Sequence, residues 1–483
     1  LIYMDLKRIF FRGNNVSKEA KASVAYTICG ILTKCMSFIT LPIFTRVLTK
    51  EEYGLSTVYS STMAIMIIFT SLQLPYGSLS TAMIKFKDNR DGYLSSTCGI
   101  TLVLTLIYLI VCTLARNSLQ SLLDIPYALL VLMGIEMFFN TVQMLWMGKE
   151  RFEYKYKSVV FVTLLSAIAT TFLSVIAVYN MTNKGVVKIL SNAIIVIIIG
   201  AIILLSILKH NTKIFDRCFW HFALSFNIPL IPYYLSQVVF NQSDRLMIDK
   251  ICGRGDAAVY GVAYSLATIL TFVISAIHTS YVPWMFEKIE QKKVDDNRRV
   301  SILLSAGIAF MLLGVIALAP EIVYIMAGKE YIDAIWVVPP VAMSVLLLYY
   351  SDLFDCIEFY YEAKWFLAIA AILSAIVNIV LNFLFIPIFG FISAAYTTLI
   401  SYFILALVDY IYMRILCDKN GINKNLYDIK ALSILFIVFC GIGFIAMALY
   451  NYPMIRYAII AITFVCIFIF RNKIIQEINK YKK

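Results

Sequence analysis

The residues of this chain that could do chemistry are ionisable and amide side chains set inside long apolar stretches. Lys34 lies mid-stretch, and Ser23, Thr27, Gly30, Lys34 and Ser37 recur at spacings of four and three, one face of one helix. Tyr264, Thr268, Thr271, Ser275 and His278 repeat that spacing. Gln237, Asn241 and Asp244 share a face, as do Glu136, Asn140 and Gln143. Asn378 and Asn382 stand one turn apart, ahead of Thr397 and Thr398, while Asp352, Asp355 and Glu358 recur every third residue. An ionisable group inside a membrane span costs about 2.5–3.5 kcal/mol, so such groups face a bundle interior or a watery cavity. Lys34 therefore has two readings: attraction of an anionic substrate group, or a packing pair with a carboxylate such as Glu136. Arg245 points away from its neighbour Asp244 and divides between anion attraction and a pair with Asp249, four residues on. His278 reads as a hydrogen-bonded interior histidine or a proton carrier. The acids at 352, 355 and 358 read as counter-ions, sugar-binding groups or proton-coupling groups, with solvated helix ends the alternative for Asp355 and Glu358.

The elements that must position these residues are transmembrane helices. The chain of 483 residues is 61% hydrophobic and 14% charged, with mean hydropathy +0.83, far more apolar than a soluble domain of roughly 45–50%. A span needs about 20 mostly apolar residues. Fourteen such runs are predicted, at 22–46, 54–77, 94–115, 125–148, 158–179, 186–208, 222–249, 257–282, 300–320, 332–356, 365–386, 390–412, 429–449 and 453–470. The fold class is an all-α integral membrane protein. Alternate loops carry thirty Lys and Arg on the side of the termini and nine on the other, which places both termini in the cytoplasm. Pro229 and Pro232 in span seven remove helix donors and allow a kink.

The net charge of +12 lies in short clusters between apolar runs, which excludes a nucleic-acid-binding arm or patch. Ten cysteines without a CxxC pair, and only three histidines, argue against a metal centre and for cysteine as a packing residue. Residues 1–21 carry Lys7, Arg8, Arg12, Lys18 and Lys21 without an early apolar core, so the first apolar run is expected to remain as an anchor.

An internal repeat is visible at nearly constant offset. Tyr53-Gly54 recurs as Tyr260-Gly261 after 207 residues, Leu165-Ser166-Ala167-Ile168 as Leu373-Ser374-Ala375-Ile376 after 208, and Gly185 as Gly390 after 205. A six-span displacement keeps orientation, so the halves are parallel repeats. The expected organisation is a cytoplasmic segment 1–21, an N-lobe 22–208 and a linker 209–221. A C-lobe 222–412, a linker 413–428, two extra helices within 429–470 and a basic cytoplasmic tail 471–483 complete it. The substrate path is expected between the two six-helix, pseudo-symmetric lobes.

At the end of span one the sequence reads Leu41-Pro42-Ile43-Phe44-Thr45-Arg46-Val47-Leu48-Thr49-Lys50-Glu51-Glu52-Tyr53-Gly54. This LP-x-x-T-R and E-Y-G pattern, with the two-lobe architecture over nearly the whole chain, resembles the polysaccharide-lipid flippases of the MOP exporter superfamily. The resemblance implies a transporter, not an enzyme, that moves an undecaprenyl-pyrophosphate-linked oligosaccharide from the inner to the outer leaflet by alternating access. It implies a bacterial plasma-membrane location, membrane lipids and polysaccharide-assembly proteins as partners, no cofactor, and sodium or a proton as coupling ion. Lys34, Ser37, Arg46, Glu136, Asn140, Gln143, Gln237, Arg245, Thr271 and His278 become cavity residues, and spans one and eight would border a lateral gate. Related flippases can place a sodium site in the second lobe, for which Asp244, Asn378, Asn382 and Thr398 are the nearest matches. An asparagine stands where a carboxylate is expected, leaving one negative ligand and a weak site. The alternatives are a drug/cation antiporter of the same superfamily and a membrane polysaccharide polymerase or glycosyltransferase. Short outer loops and the lack of a Walker-type phosphate loop argue against the last and against ATP use.

Overall fold

The computed structural model of the protein describes residues 18–463, apart from 292–293, 362, 422 and 424, together with residue 465. Residues 1–17, the basic tail 471–483 and the end of the fourteenth predicted span lie outside the described residues. Helices follow one another along the whole described chain, and no strand occurs among the described residues. Thirteen stretches are long and apolar enough to cross a membrane, and the fourteenth run begins as the shorter apolar helix Pro453–Thr463. The predicted spans therefore have counterparts, most displaced by a few residues.

The chain divides into two compact units, residues 1–235 and 236–483. In the first, the membrane helices are α1 (Lys18–Val47), α2 (Lys50–Ser71), α4 (Arg90–Leu114), α6 (Tyr127–Phe152), α7 (Tyr156–Asn180) and α8 (Lys184–His210). Short helices α3 (Leu79–Lys85) and α5 (Arg116–Leu123) flank α4. The most buried span of this unit is α6, and α8 packs against both α6 and α7.

Span seven is split, and the unit boundary falls just beyond the split, inside its second half. The half-helix α9 (Arg217–Asn227) is followed by a 3-10 turn at Ile228–Leu230 and then by α10 (Ile231–Ile251). Proline at 229 and 232 deprives the helix of two donors at that point. The boundary between units thus falls after Leu235, not in the expected linker 209–221. The physical reason is that α9 is fastened to α3 and α4. Trp220 Nε1 donates to the Ser96 carbonyl at 3.0 Å, and Asn227 Nδ2 donates to Ser78 Oγ at 2.7 Å. Phe219 and Phe222 stack edge-on against Phe86 and Tyr93.

The second unit continues with α11 (Arg254–Ala267), α12 (Thr271–Glu290), α13 (Val294–Ala317), α14 (Ala319–Ala327), α15 (Val338–Tyr360), α16 (Lys364–Phe389), α17 (Ser393–Lys419), α18 (Ile429–Ala448) and α19 (Pro453–Thr463). Its centre is α15, the most buried span, packed closely on α17. The buried Arg456 of α19 is ion-paired to Glu321 of α14, and Tyr457 donates to the same carboxylate at 2.5 Å. Span eight is interrupted without proline by a 3-10 turn at Thr268–Leu270. Thr268 and Thr271 hydroxyls donate to the carbonyls of Tyr264 and Thr268, the local bonding by which Thr bends a helix.

Candidate functional site

In the second unit, Asp244 is the centre of a buried polar network within the membrane helices. Tyr260 OH donates to Asp244 Oδ2 at 2.6 Å, Thr398 Oγ1 donates to the same oxygen at 2.8 Å, and Asn382 Nδ2 donates to Oδ1 at 2.6 Å. Asn378 links to Thr398 at 3.4 Å and accepts from Ser243 and from Asn382, each at 3.2 Å, while Thr397 donates to Asn382 Oδ1. Every one of these side chains is buried. The structure thus joins Asp244, Asn378, Asn382 and Thr398, the four residues carried over by resemblance. It adds Tyr260, Ser243 and Thr397, which sequence reasoning missed. Tyr260 stood out only as half of a repeat marker; it is its hydroxyl bond to Asp244 that joins it to the network.

The donor set is entirely oxygen: one carboxylate, two amide carbonyls and several hydroxyls that can turn their hydrogens away. Hard oxygen ligands with a single negative charge suit a monovalent cation such as sodium. The residues fit such an ion.

Above this network lies a cavity of about 290 Å³ lined by Asn241, Tyr264, Thr268, Thr271, Ser344 and Tyr402, with Val345 and Leu348 supplying the apolar wall. Asn241, one turn before Asp244, joins the two features: its Oδ1 accepts from Tyr264 OH at 3.4 Å and from Tyr402 OH at 3.3 Å. Its amide donates to the backbone carbonyl of Gln237, one turn earlier. Arg245 does not form the expected pair with Asp249. Its guanidinium donates to the Asn241 carbonyl and to Gln242 Oε1 at 2.7 Å and lies over the Tyr264 ring, because a helix neighbour of Asp244 projects toward span eight. Asp249 is paired instead with Arg254 at 3.3 Å.

The span-eight stripe divides. Tyr264, Thr268 and Thr271 line the cavity, whereas His278, half-buried, is held by the Asp352 carbonyl at 2.9 Å and by Cys356 sulfur at 3.2 Å. The solvated-end reading fails for Glu358, whose side chain is fully enclosed. The α15–α17 packing seals it, since Asp409 on α17 is also buried and accepts from Ser351.

In the first unit, Glu136 is buried and accepts from Tyr59 OH at 2.8 Å and from Asn192 Nδ2 at 2.7 Å. The packing pair of Lys34 with Glu136 is therefore overturned: two uncharged donors hold the carboxylate. Lys34, Ser37 and Arg46 are exposed along α1, whose opposite face packs on α7, and Lys34 has no hydrogen-bond or ion-pair partner among the described residues. Gln143 is spent on the Val196 carbonyl at 2.7 Å, and Asn140 is half-buried beside it on α6. Sequence reasoning missed Lys188, which lies just inside the sixth predicted span, 186–208. Its ammonium donates to Ser56 Oγ at 2.9 Å and sits over the Phe44 and Tyr53 rings at 4.7 and 4.2 Å.

Glu52 of the Glu-Tyr-Gly pattern is the centre of a structural clasp. Thr49 and Glu52 form a capping box on α2, and the second oxygen of Glu52 accepts from the Lys184 backbone N–H at 3.0 Å. Gly185 lets α8 approach: a Cβ there would lie 2.7 Å from the Glu52 carbonyl oxygen.

A family model described as polysaccharide biosynthesis protein matches residues 20–289. A Haemophilus influenzae protein of the Lsg locus is 24% identical over 282 residues, covering 57% of this chain and 68% of its own length. Among solved structures, the lipid II flippase MurJ in an inward closed conformation aligns with a TM-score of 0.63 at 15% identity, over 90% of this chain and 100% of that one. An inward-facing MATE multidrug transporter of the MOP superfamily gives 0.62 at 12% identity, over 80% and 95%. At such identities the likeness is one of fold.

Proposed function

The chain belongs to the polysaccharide biosynthesis protein family, and from that premise we propose that it is a transporter that flips an undecaprenyl-pyrophosphate-linked oligosaccharide from the inner to the outer leaflet by alternating access. The observation that carries the reading is the Asp244 network, a carboxylate buried among oxygen donors beside a polar cavity inside membrane helices. Such a group costs several kcal/mol to place in a bilayer, and an ion-coupled cycle supplies the reason for it. Sodium bound there would neutralise Asp244 and compete with Tyr260, Thr398 and Asn382 for its oxygens. The exposed polar face of α1 offers the Lys34 ammonium to the pyrophosphate. With the cytoplasm negative, outward movement of an anion gains about 2.3 kcal/mol per charge per 100 mV. The setting is the bacterial plasma membrane with cytoplasmic termini, alongside polysaccharide-assembly proteins.

Reconstitution in liposomes with the lipid-linked oligosaccharide tests the proposal by measuring leaflet exchange under imposed sodium, proton and voltage gradients. Exchange well above that of protein-free liposomes, accelerated by a voltage that drives anions outward, is the expected result. No excess exchange under any gradient overturns it. A second reading, a drug/cation antiporter, is favoured by the aromatic lining from Tyr264 and Tyr402. Gradient-driven transport of tetraphenylphosphonium without lipid exchange would select it.

A further inference from the structure

Glu358 is the only acid among the described residues with both carboxyl oxygens enclosed and neither meeting a hydrogen-bond partner. It occupies the last turn of α15, three residues past Asp355 and six past Asp352, so the three acids form one face. Asp409 of α17 closes the cluster from the opposite side. Asp409 is the charged group whose field reaches Glu358, and Asp352, Asp409 and Glu358 all reach Asp355. His278 of α12 stands at the Asp352 end.

Three cations of α12, α13 and α17 are engaged elsewhere. Arg414 of α17 donates to Tyr410 OH, Lys288 of α12 is paired with Asp296, and Arg298 of α13 with Asp295. An enclosed carboxylate with no donor is strongly disfavoured as an anion, and two such groups in one site cannot both be ionised. Glu358 also lies at the negative end of the α15 dipole, which disfavours the anion further. Asp352 and Asp355 are only half-buried, so the face runs from the sealed Glu358 to partly exposed groups.

We propose that Glu358 and Asp409 form a proton-binding site, with Asp355 and Asp352 passing protons between it and water, and that its loading and unloading couples a proton to the transport cycle. In the step, one proton from water binds a carboxylate oxygen and removes one negative charge from the cluster; release restores both. The site is separate from the Asp244 network, and only its coupling role rests on the transport reading above.

Infrared pH-difference spectroscopy of the full chain in nanodiscs tests the proton site without any transport substrate. Wild type is expected to show the carbonyl band of a neutral carboxylic acid at neutral pH, lost at alkaline pH and absent from Glu358→Gln. The same band in E358Q as in wild type overturns the site, as does a band that follows sodium concentration at fixed pH. Asp409→Asn gives an independent readout if E358Q does not fold. Removing a neighbouring negative charge should let Glu358 ionise at lower pH, and an unchanged titration counts against the pair. In liposomes with the lipid-linked oligosaccharide, an imposed proton gradient should accelerate exchange by wild type and not by E358Q; equal acceleration overturns the coupling role. If wild type exchanges no lipid while the band titrates as described, the flippase reading falls and the proton site stands.

Discussion

Asp244 accepts three hydrogen bonds on two oxygens while enclosed in the second unit. Replacing it by Asn keeps the shape but turns one acceptor into a donor that faces Tyr260, Thr398 or Asn382. A donor left unmatched in such a site costs about 1–3 kcal/mol. Sodium, compared with potassium at equal ionic strength, should raise the melting temperature of wild type and not of Asp244→Asn. At a hundredfold excess over Kd the ion would contribute about 2.7 kcal/mol. Equal sodium shifts in both proteins would dissociate Asp244 from cation binding. Lys34 poses the opposite case, since it is exposed and partnerless among the described residues. Lys34→Ala should change stability by no more than about 0.5 kcal/mol, yet reduce polysaccharide export at normal protein level. Unchanged export would remove this ammonium from the mechanism.

At the scale of elements, the signature sequence acts as a fastening between helix ends. Glu52 caps its own helix and the first N–H of α8 together, and Gly185 admits α8 against the backbone of α2. Gly185→Ala forces the two helices apart, because the nearest atoms are main-chain, and should destabilise by about 1–3 kcal/mol. Thermal unfolding in nanodiscs reads this directly, and a wild-type melting temperature would show that the contact is not tight. Spans seven and eight are broken by different means. In the first, proline removes donors; in the second, threonine hydroxyls bond to the carbonyls around the turn. The first break was legible because proline has one reading in a helix. The second was not, since threonine bends a helix only when its hydroxyl turns to the backbone.

For the molecule as a whole, the two units carry comparable internal chemistry. Each buries a carboxylate that accepts from a tyrosine, of span two in the first and span eight in the second, and from a side chain of its sixth or twelfth span. The acid itself comes from span four in one case and span seven in the other. The donors share helix positions but the tyrosines are not equivalent in the repeat, since Tyr260 repeats Tyr53 and not Tyr59. A test at this scale is the charge carried per cycle. Under the proposed export of an anion, reversing the imposed voltage should reverse its effect on leaflet exchange, whereas a voltage-independent rate would deny net charge movement.

Composition and hydropathy determined the fold class, because only helices satisfy their backbone within hydrocarbon and each needs a long apolar run. Period also determined which polar residues share a face, because helix geometry repeats every three to four residues. Tertiary packing alone decided what each face meets. Glu136 found Tyr59 and Asn192 in place of Lys34, Arg245 turned to Gln242 and Tyr264, and Glu358 was sealed by α17 although it ends its helix. It decided too that half of span seven belongs with the first unit, through Trp220 and Asn227. The physical reason is that helix spacing fixes the direction of a side chain, whereas its partner depends on which helix lies opposite, a relation between segments as much as 161 residues apart at Asn241 and Tyr402.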